Sequence, residues 1–377
     1  MVEQDLRSTT LEAVHESLGA TFTDFAGWKM PVRYDSDLAE HRAVRESAGL
    51  FDLSHMGEIH LRGPEAGAAL DFALAGKLST VAVGRAKYSL LLSEEGGVID
   101  DIIAYRLSEE HFLVVANASN AEVDAAELLA RAEGFDVEVD DASARTSLLA
   151  VQGPAAEQIL LDAMAADGSA IGGLTAEDIT GMKNYRFAKG TFGGEEMLVA
   201  RTGYTGEDGF ELYVPNAQAT ALWELLTAAG GDRLAPCGLA CRDTLRLEAG
   251  MPLYGNELSR ELLPAQAGMA RVVALKSKED FVGRAAIEAA VTEDLPVLVG
   301  LVAEGRRAGR AGAAVRDAEG QEVGTVTSGA LAPTLGHPIA MAYVVPAAAA
   351  PGTELVIDVR GKDLPARVVE MPFYRRA

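Results

Sequence analysis

Residues 201–212, Arg201-Thr202-Gly203-Tyr204-Thr205-Gly206-Glu207-Asp208-Gly209-Phe210-Glu211-Leu212, constrain the fold more than any other stretch of this chain. A short apolar segment, Met197-Leu198-Val199-Ala200, precedes them. The segment that follows alternates, with Phe210, Leu212 and Val214 on one face and Glu211 and Tyr213 on the other. Glycine at every third position between two such segments predicts a β-hairpin, because glycine enters φ > 0 without a steric cost. The same glycines lack a Cβ, so the loop is expected to let ligand atoms approach its backbone. A carboxylate at such a rim can accept two parallel N–H donors, as the edge of an aminopyrimidinone ring such as a pterin offers. Spacing alone also fits a solvent-facing glutamate after an ordinary hairpin.

The chain has 377 residues, more than one core usually supports, so two or three domains are expected. Its 33 basic and 56 acidic side chains give a formal charge of −23. That charge opposes nucleic acid and anionic membrane surfaces, and neither is expected as a partner. The start, Met1-Val2-Glu3-Gln4-Asp5, is acidic and lacks the apolar core of a secretory leader, and no run of about 18 apolar residues marks a membrane span. A cytoplasmic location is therefore expected. Cys237 and Cys241 are too few for a disulfide framework and have no neighbouring histidines for a zinc site; four apart on a predicted helix, they read as buried thiols.

Along the chain, helices and strands interleave twice. The first fifty residues hold two helical stretches around a turn, Asp24-Phe25-Ala26-Gly27-Trp28-Lys29-Met30-Pro31. A strand at 58–61, a helix at 65–74, a hairpin of 88–92 with 98–105, a strand at 112–115, a helix at 121–132 and a strand near 135–139 follow. A second such unit begins at Thr146, with a strand and turn through Pro154, a helix at 155–164 and the glycine-rich hairpin. The helix after Pro236 carries Arg242 and, one turn on, Arg246. Beyond about residue 290 the strands become short and are broken by glycine or proline, which predicts a small antiparallel barrel. The run 347–352, ending Pro-Gly, reads as a loop.

Two acids, Asp100 and Asp101, interrupt an otherwise apolar strand and fall on opposite faces. Asp101 shares its face with Ile99, Ile103 and Tyr105, where a carboxylate needs a donor or a cation. Arg242 is the preferred partner for it, or else a contact for a ligand's tail. Ser54 and His55 are adjacent and on an extended segment would point apart, so a Ser-His catalytic pair is not expected and His55 reads as a structural hydrogen-bonder. No P-loop, no dinucleotide fingerprint and no clustered metal ligands are present. Carboxylates, an arginine and aromatics without a nucleophile suit chemistry that an external cofactor carries.

Eight motifs occur in order: Asp24-Phe25-Ala26-Gly27-Trp28, Phe51-Asp52-Leu53-Ser54-His55-Met56-Gly57, Gly96 to Asp101, Arg201 to Leu212, Arg242 to Gly250, Leu253-Tyr254-Gly255, Thr327-Ser328-Gly329 and Pro333-Thr334-Leu335-Gly336. On these the chain resembles, over practically its full length, the T-protein family of the glycine cleavage system, folate-dependent aminomethyltransferases. The resemblance implies an α+β fold, a three-domain cloverleaf. Two interleaved α+β units would make a folate-binding region over 1–285, roughly 1–50 with 140–285 and 51–139, and a small antiparallel β-barrel would span 290–377.

The resemblance further implies tetrahydrofolate as co-substrate and a lipoylated H protein as partner. The reaction is transfer of the methylene carbon from the aminomethyl-lipoyl arm to tetrahydrofolate, with release of ammonia. By position it implies Asp101 as the catalytic aspartate, Glu211 as the pterin-binding glutamate, Tyr204 beside the folate and Arg242 at the folate site, with Tyr88, Asn117, Met56, Tyr374 and Arg375 as further folate contacts. Within residues 259–271 the chain departs from the family pattern, with Gln266 where an acid is frequent and Ala270-Arg271 where a glycine and an aromatic are frequent. A folate-dependent demethylase of the same superfamily would keep the folate site without the carrier. A folate-binding maintenance factor for iron-sulfur proteins would carry a Lys-Gly-Cys motif, where this chain has Leu253-Tyr254-Gly255-Asn256-Glu257.

Overall fold

The computed structural model describes residues 6–166 and 168–376. The acidic start, residues 1–5, and with it the expectation of no secretory leader, lies outside them. The chain divides into two compact units. The first takes Met1–Gly67, Thr80–Lys87 and Ile103–Asp243, and the second takes Ala68–Ser79, Tyr88–Ile102 and Thr244–Ala377.

The first unit is built on a seven-stranded sheet in the order Ile171–Gly172, Phe187–Phe192, Glu195–Ala200, Gly209–Pro215, Thr146–Gln152, Ala48–Asp52, Leu234–Pro236. Its pairs are antiparallel except the last, where Leu234–Pro236 runs parallel to Ala48–Asp52. The predicted hairpin pairs Ala200 with Glu211 and Leu198 with Tyr213. Phe210, Leu212 and Val214 enter the core beside Ile159 and Leu160 of the helix Ala156–Ala165 and Leu222 and Leu226 of the helix Ala219–Gly230. Each such side chain contributes about 1.5–3 kcal/mol when removed from water. That burial fixes the register and so commits Glu211 and Tyr213 to the opposite face.

A second sheet in this unit joins Gly57–Arg62 to His111–Ala116 and to Glu138–Asp141, and His111–Ala116 also pairs with the later half of Val98–Ser108. The strand expected near 135–139 begins only at Glu138. The Phe135 amide bonds the Ala132 carbonyl and the Val137 amide bonds the Phe135 carbonyl, so the turn closing the helix Ala121–Arg131 uses the donors a strand would need.

In the second unit the early half of Val98–Ser108 pairs with residues 88–92 as a hairpin. Tyr88, Leu90, Leu92 and Val98 pack there with Leu258, Val273 and Phe281. The C-terminal part is a closed barrel of six antiparallel strands, ordered Val297–Ala303, Pro338–Val344, Glu322–Leu331, Ala314–Arg316, Glu354–Asp358, Asp363–Val369. Leu301, Val315, Val326, Val344, Ile357 and Val368 fill it, and closure leaves no free strand edge. Overlapping the start of the run expected to be a loop, Pro346–Ala348 makes one 3-10 turn, started by a proline whose fixed φ suits a first helical position.

Candidate active site

The loop 202–208 in the first unit is closed from three sides. Arg201 forks onto Asp208, Nε to Oδ1 at 2.8 Å and Nη2 to Oδ2 at 2.5 Å, which ties the loop's two ends. Arg45 donates from Nη1 to the Thr205 carbonyl at 2.7 Å and to Glu207 Oε1 at 2.9 Å. Gln152, fully buried, donates from Nε2 to the Thr202 carbonyl at 3.0 Å and accepts from Thr205 Oγ1 at 2.9 Å. Methyl groups on Gly203 and Gly209 would lie 2.0 Å and 2.4 Å from the Gln152 amide. These two glycines therefore make room for Gln152, which corrects the expectation that they clear a path for ligand atoms. Gly206, at φ 79°, supplies the left-handed turn.

Three expected site residues meet here. The Arg242 guanidinium carbon lies 5.0 Å from the centroid of the Tyr204 ring. Burial lowers the Arg242 pKa and the Glu211 charge opposes that shift, so the arginine and the carboxylate sense each other. Glu211, only 9% exposed, accepts at Oε2 from Thr202 Oγ1 at 2.5 Å, and the Tyr105 hydroxyl oxygen lies 3.3 Å from the same Oε2. Tyr105 also lies 3.0 Å from Thr202 Oγ1 and accepts from the Tyr213 hydroxyl at 3.2 Å.

Tyr185 is a residue that sequence reasoning missed. It takes φ 60°, and its hydroxyl pKa is raised by burial of that end of the side chain and then by the Glu211 charge. Its amide bonds the Arg201 carbonyl and its carbonyl accepts from the Ala86 amide, and these two bonds hold a bulky residue in a region such residues avoid. Nothing periodic in Lys183-Asn184-Tyr185-Arg186 signals this.

In the second unit Asp101 is half-buried and accepts from the Tyr88 hydroxyl at Oδ2, 3.1 Å away, while Asp100 on the other face is fully buried. The hairpin carrying them is pinned at its tip. A methyl on Gly97 would stand 1.7 Å from the Arg260 carbonyl oxygen, and the Val98 amide donates to the carbonyls of Ser259 and Leu262.

The remaining expected residues lie at turns. Met56 is half-buried, its amide bonded to the Leu53 carbonyl, and Asn117 accepts at its carbonyl from Asn120 ahead of the helix Ala121–Arg131. Tyr374 bonds the Glu248 carbonyl through its amide, and Arg375 is exposed. Ser54 and His55 occupy a turn, not the extended segment expected, and the Leu148 amide donates to the Ser54 hydroxyl. His55 is not the hydrogen-bonder expected of it. Its Nδ1 is buried without a partner and its ring packs edge-on against Phe25 at 5.4 Å.

Glu40, Cys237 and Cys241 bring possible metal ligands within 4.8 Å of one another. Glu40 is already filled by the amides of Tyr34, Asp35 and Gly238, and both thiols donate to backbone carbonyls. Among the described residues no helix is long and apolar enough to cross a membrane.

The family model described as the GCVT N-terminal domain matches residues 11–277, and the glycine cleavage T-protein C-terminal barrel domain matches residues 297–375. The chain belongs to the glycine cleavage T-protein family. It is 62% identical to the aminomethyltransferase of Cutibacterium acnes over 99% of both chains, and 56% identical to that of Streptomyces coelicolor over the whole of both. The crystal structure of glycine cleavage system aminomethyltransferase T from Bartonella henselae superposes with a TM-score of 0.89 at 39% identity, covering 98% of each chain.

The structure gives Gln266 a role that an acid could not fill. The Gln266 amide donates from Nε2 to the Pro296 carbonyl at 3.0 Å and accepts at Oε1 from the Leu263 amide at 3.1 Å. A carboxylate accepts only, so an acid here would forfeit the first bond and face a carbonyl oxygen.

Proposed function

We propose that this chain is the aminomethyltransferase of a glycine cleavage system. It moves the methylene carbon of the aminomethyl-lipoyl arm of an H protein to tetrahydrofolate, releasing ammonia and leaving 5,10-methylenetetrahydrofolate and the dihydrolipoyl carrier. The observation that carries the reading is the T-protein match along both domains. The sequence at Leu253-Tyr254-Gly255-Asn256-Glu257, with no cysteine, disfavours the iron-sulfur maintenance reading.

Tetrahydrofolate is the co-substrate of this proposal, and bound it supplies the nitrogen nucleophiles that take up the carbon. The residues present suit it. Glu211 offers a carboxylate oriented by the Thr202 hydroxyl at Oε2, and Oε1 lies outside both the Thr202 bond and the longer Tyr105 contact. In this role Glu211 holds the pterin edge. Tyr204 and Arg242 supply an aromatic face and a cation beside it. Tyr88, Asn117, Met56, Tyr374 and Arg375 complete the folate contacts we propose.

Asp101 is assigned the chemistry. Held by the Tyr88 hydroxyl, it stabilises the cationic centre that develops at the transferred carbon, or moves a proton at the folate nitrogen. For the carrier we assign the exposed basic stretch of Arg306, Arg307 and Arg310, the last steadied by a bond to the Gly329 carbonyl. A cytoplasmic location belongs to the same proposal and fits two free thiols.

The test is an assay of ammonia release with aminomethylated carrier, tetrahydrofolate and this protein, omitting each in turn. Release that needs all three supports the reading. Carbon transfer to folate from a small methylated amine without carrier indicates the demethylase instead.

A further inference from the structure

The hydroxyls behind Glu211 form a chain with one direction. Tyr213 donates to the Tyr105 oxygen at 3.2 Å, Tyr105 lies 3.0 Å from Thr202 Oγ1, and Thr202 donates to Glu211 Oε2 at 2.5 Å. A hydroxyl has one proton to give and an ionised carboxylate has none. Once Thr202 has spent its proton on Glu211, the shorter contact of Tyr105 is satisfied by donating to Thr202, and Tyr213 donates to Tyr105. All three protons then point towards the carboxylate. Oε2 keeps one lone pair, Oε1 keeps both, and the pair of oxygens can still accept two parallel N–H groups. If Tyr105 turned to its longer contact, Oε2 at 3.3 Å, that lone pair would be lost.

Each link has a physical cause. Tyr105 is fully buried and Tyr213 nearly so, and burial, with the Glu211 charge adding to it, pushes both hydroxyls well above the ordinary tyrosine range, which keeps them as donors. Glu58 lies on the same sheet face. It pairs with Val115, which pairs with Ile103, one row from the pair of Leu113 with Tyr105. Glu58 is fully buried, both its carboxyl oxygens lack a partner, and burial raises its pKa well above the usual range. Burial without a partner disfavours a charge on Glu58, and with it a second negative terminus that would compete for the chain's protons.

We propose that Tyr105 and Tyr213 are positioning residues for Glu211, which aim the hydroxyl of Thr202 so that the carboxylate presents two acceptor oxygens to a ring edge bearing adjacent N–H donors. This sets specificity for the 2-amino group of the pterin. The proposal rests on the reading of Glu211 as the pterin holder.

The test compares binding of tetrahydrofolate with that of its analogue lacking the 2-amino group, in wild-type protein and in Glu211→Gln, Tyr105→Phe and Tyr213→Phe. In Tyr105→Phe, tetrahydrofolate affinity should fall about tenfold, the scale of one hydrogen bond to a charged group, and the preference over the analogue should shrink. A merely structural role would weaken both ligands alike, so an unchanged preference in Tyr105→Phe overturns the proposal. Should that variant fail to fold, Tyr213→Phe, which keeps every ring and the Tyr105 hydroxyl, must show a smaller loss of the same preference. Unchanged tetrahydrofolate affinity in Glu211→Gln is a different failure, that of the pterin reading itself.

Discussion

Arg246 donates from Nη1 to Glu257 Oε2 at 2.9 Å, with the two side chains 1% and 0% exposed. The same guanidinium donates from Nη2 to the Ser328 hydroxyl at 2.8 Å, and so ties the helix Leu239–Glu248 to the barrel strand Glu322–Leu331. Removing one member of such a pair leaves an uncompensated buried charge, which costs about 3–5 kcal/mol. Glu257→Gln and Arg246→Met are each expected to lower the urea midpoint steeply, and the double replacement should cost less than the two added. Additive losses in that cycle would show that the pair is not coupled.

His55 gives the protein an acid limit. Burial holds its pKa down to about 4, with the Asp52 charge opposing and the Arg242 guanidinium adding to the drop. An unfolded histidine titrates near 6.5. The stabilisation from keeping it neutral is therefore complete above about pH 6.5, and is lost progressively as the pH falls through about 4, by roughly 3 kcal/mol. His60 and His111, also held near 4 chiefly by burial, act with the same sign. Chemical denaturation between pH 7 and 4 should show stability falling, with a shallower slope in His55→Phe. An identical slope in the variant would remove His55 from the account.

Gln266→Glu should destabilise this chain by about 1–3 kcal/mol, the scale of a buried polar group left unsatisfied. The lost donor to the Pro296 carbonyl is the cause. An unchanged denaturation midpoint would mean that local rearrangement satisfies that carbonyl.

The hairpin around Glu211 and the barrel were legible in the sequence because both rest on a two-residue period broken by glycine or proline. Period 2 also placed Tyr105 on the face of Asp101. It could not bring Tyr105 to Glu211, 106 positions away, because spacing reports local conformation and not the remote partner. The glycines of the loop show the same limit. Their spacing predicted a turn, yet their partner, Gln152, lies on another strand. Tyr185 and His55 sit in turns with no periodic signature, and what distinguishes them is the burial and charge around them.

The roles proposed for Asp101 and Glu211 separate chemistry from folate binding. The most direct measurement is the single-turnover rate of carbon transfer from aminomethylated carrier in Asp101→Asn saturated with tetrahydrofolate, set beside that variant's folate affinity. The rate should be lower by at least about two orders of magnitude, with affinity retained. A near-normal rate would contradict the role proposed for Asp101.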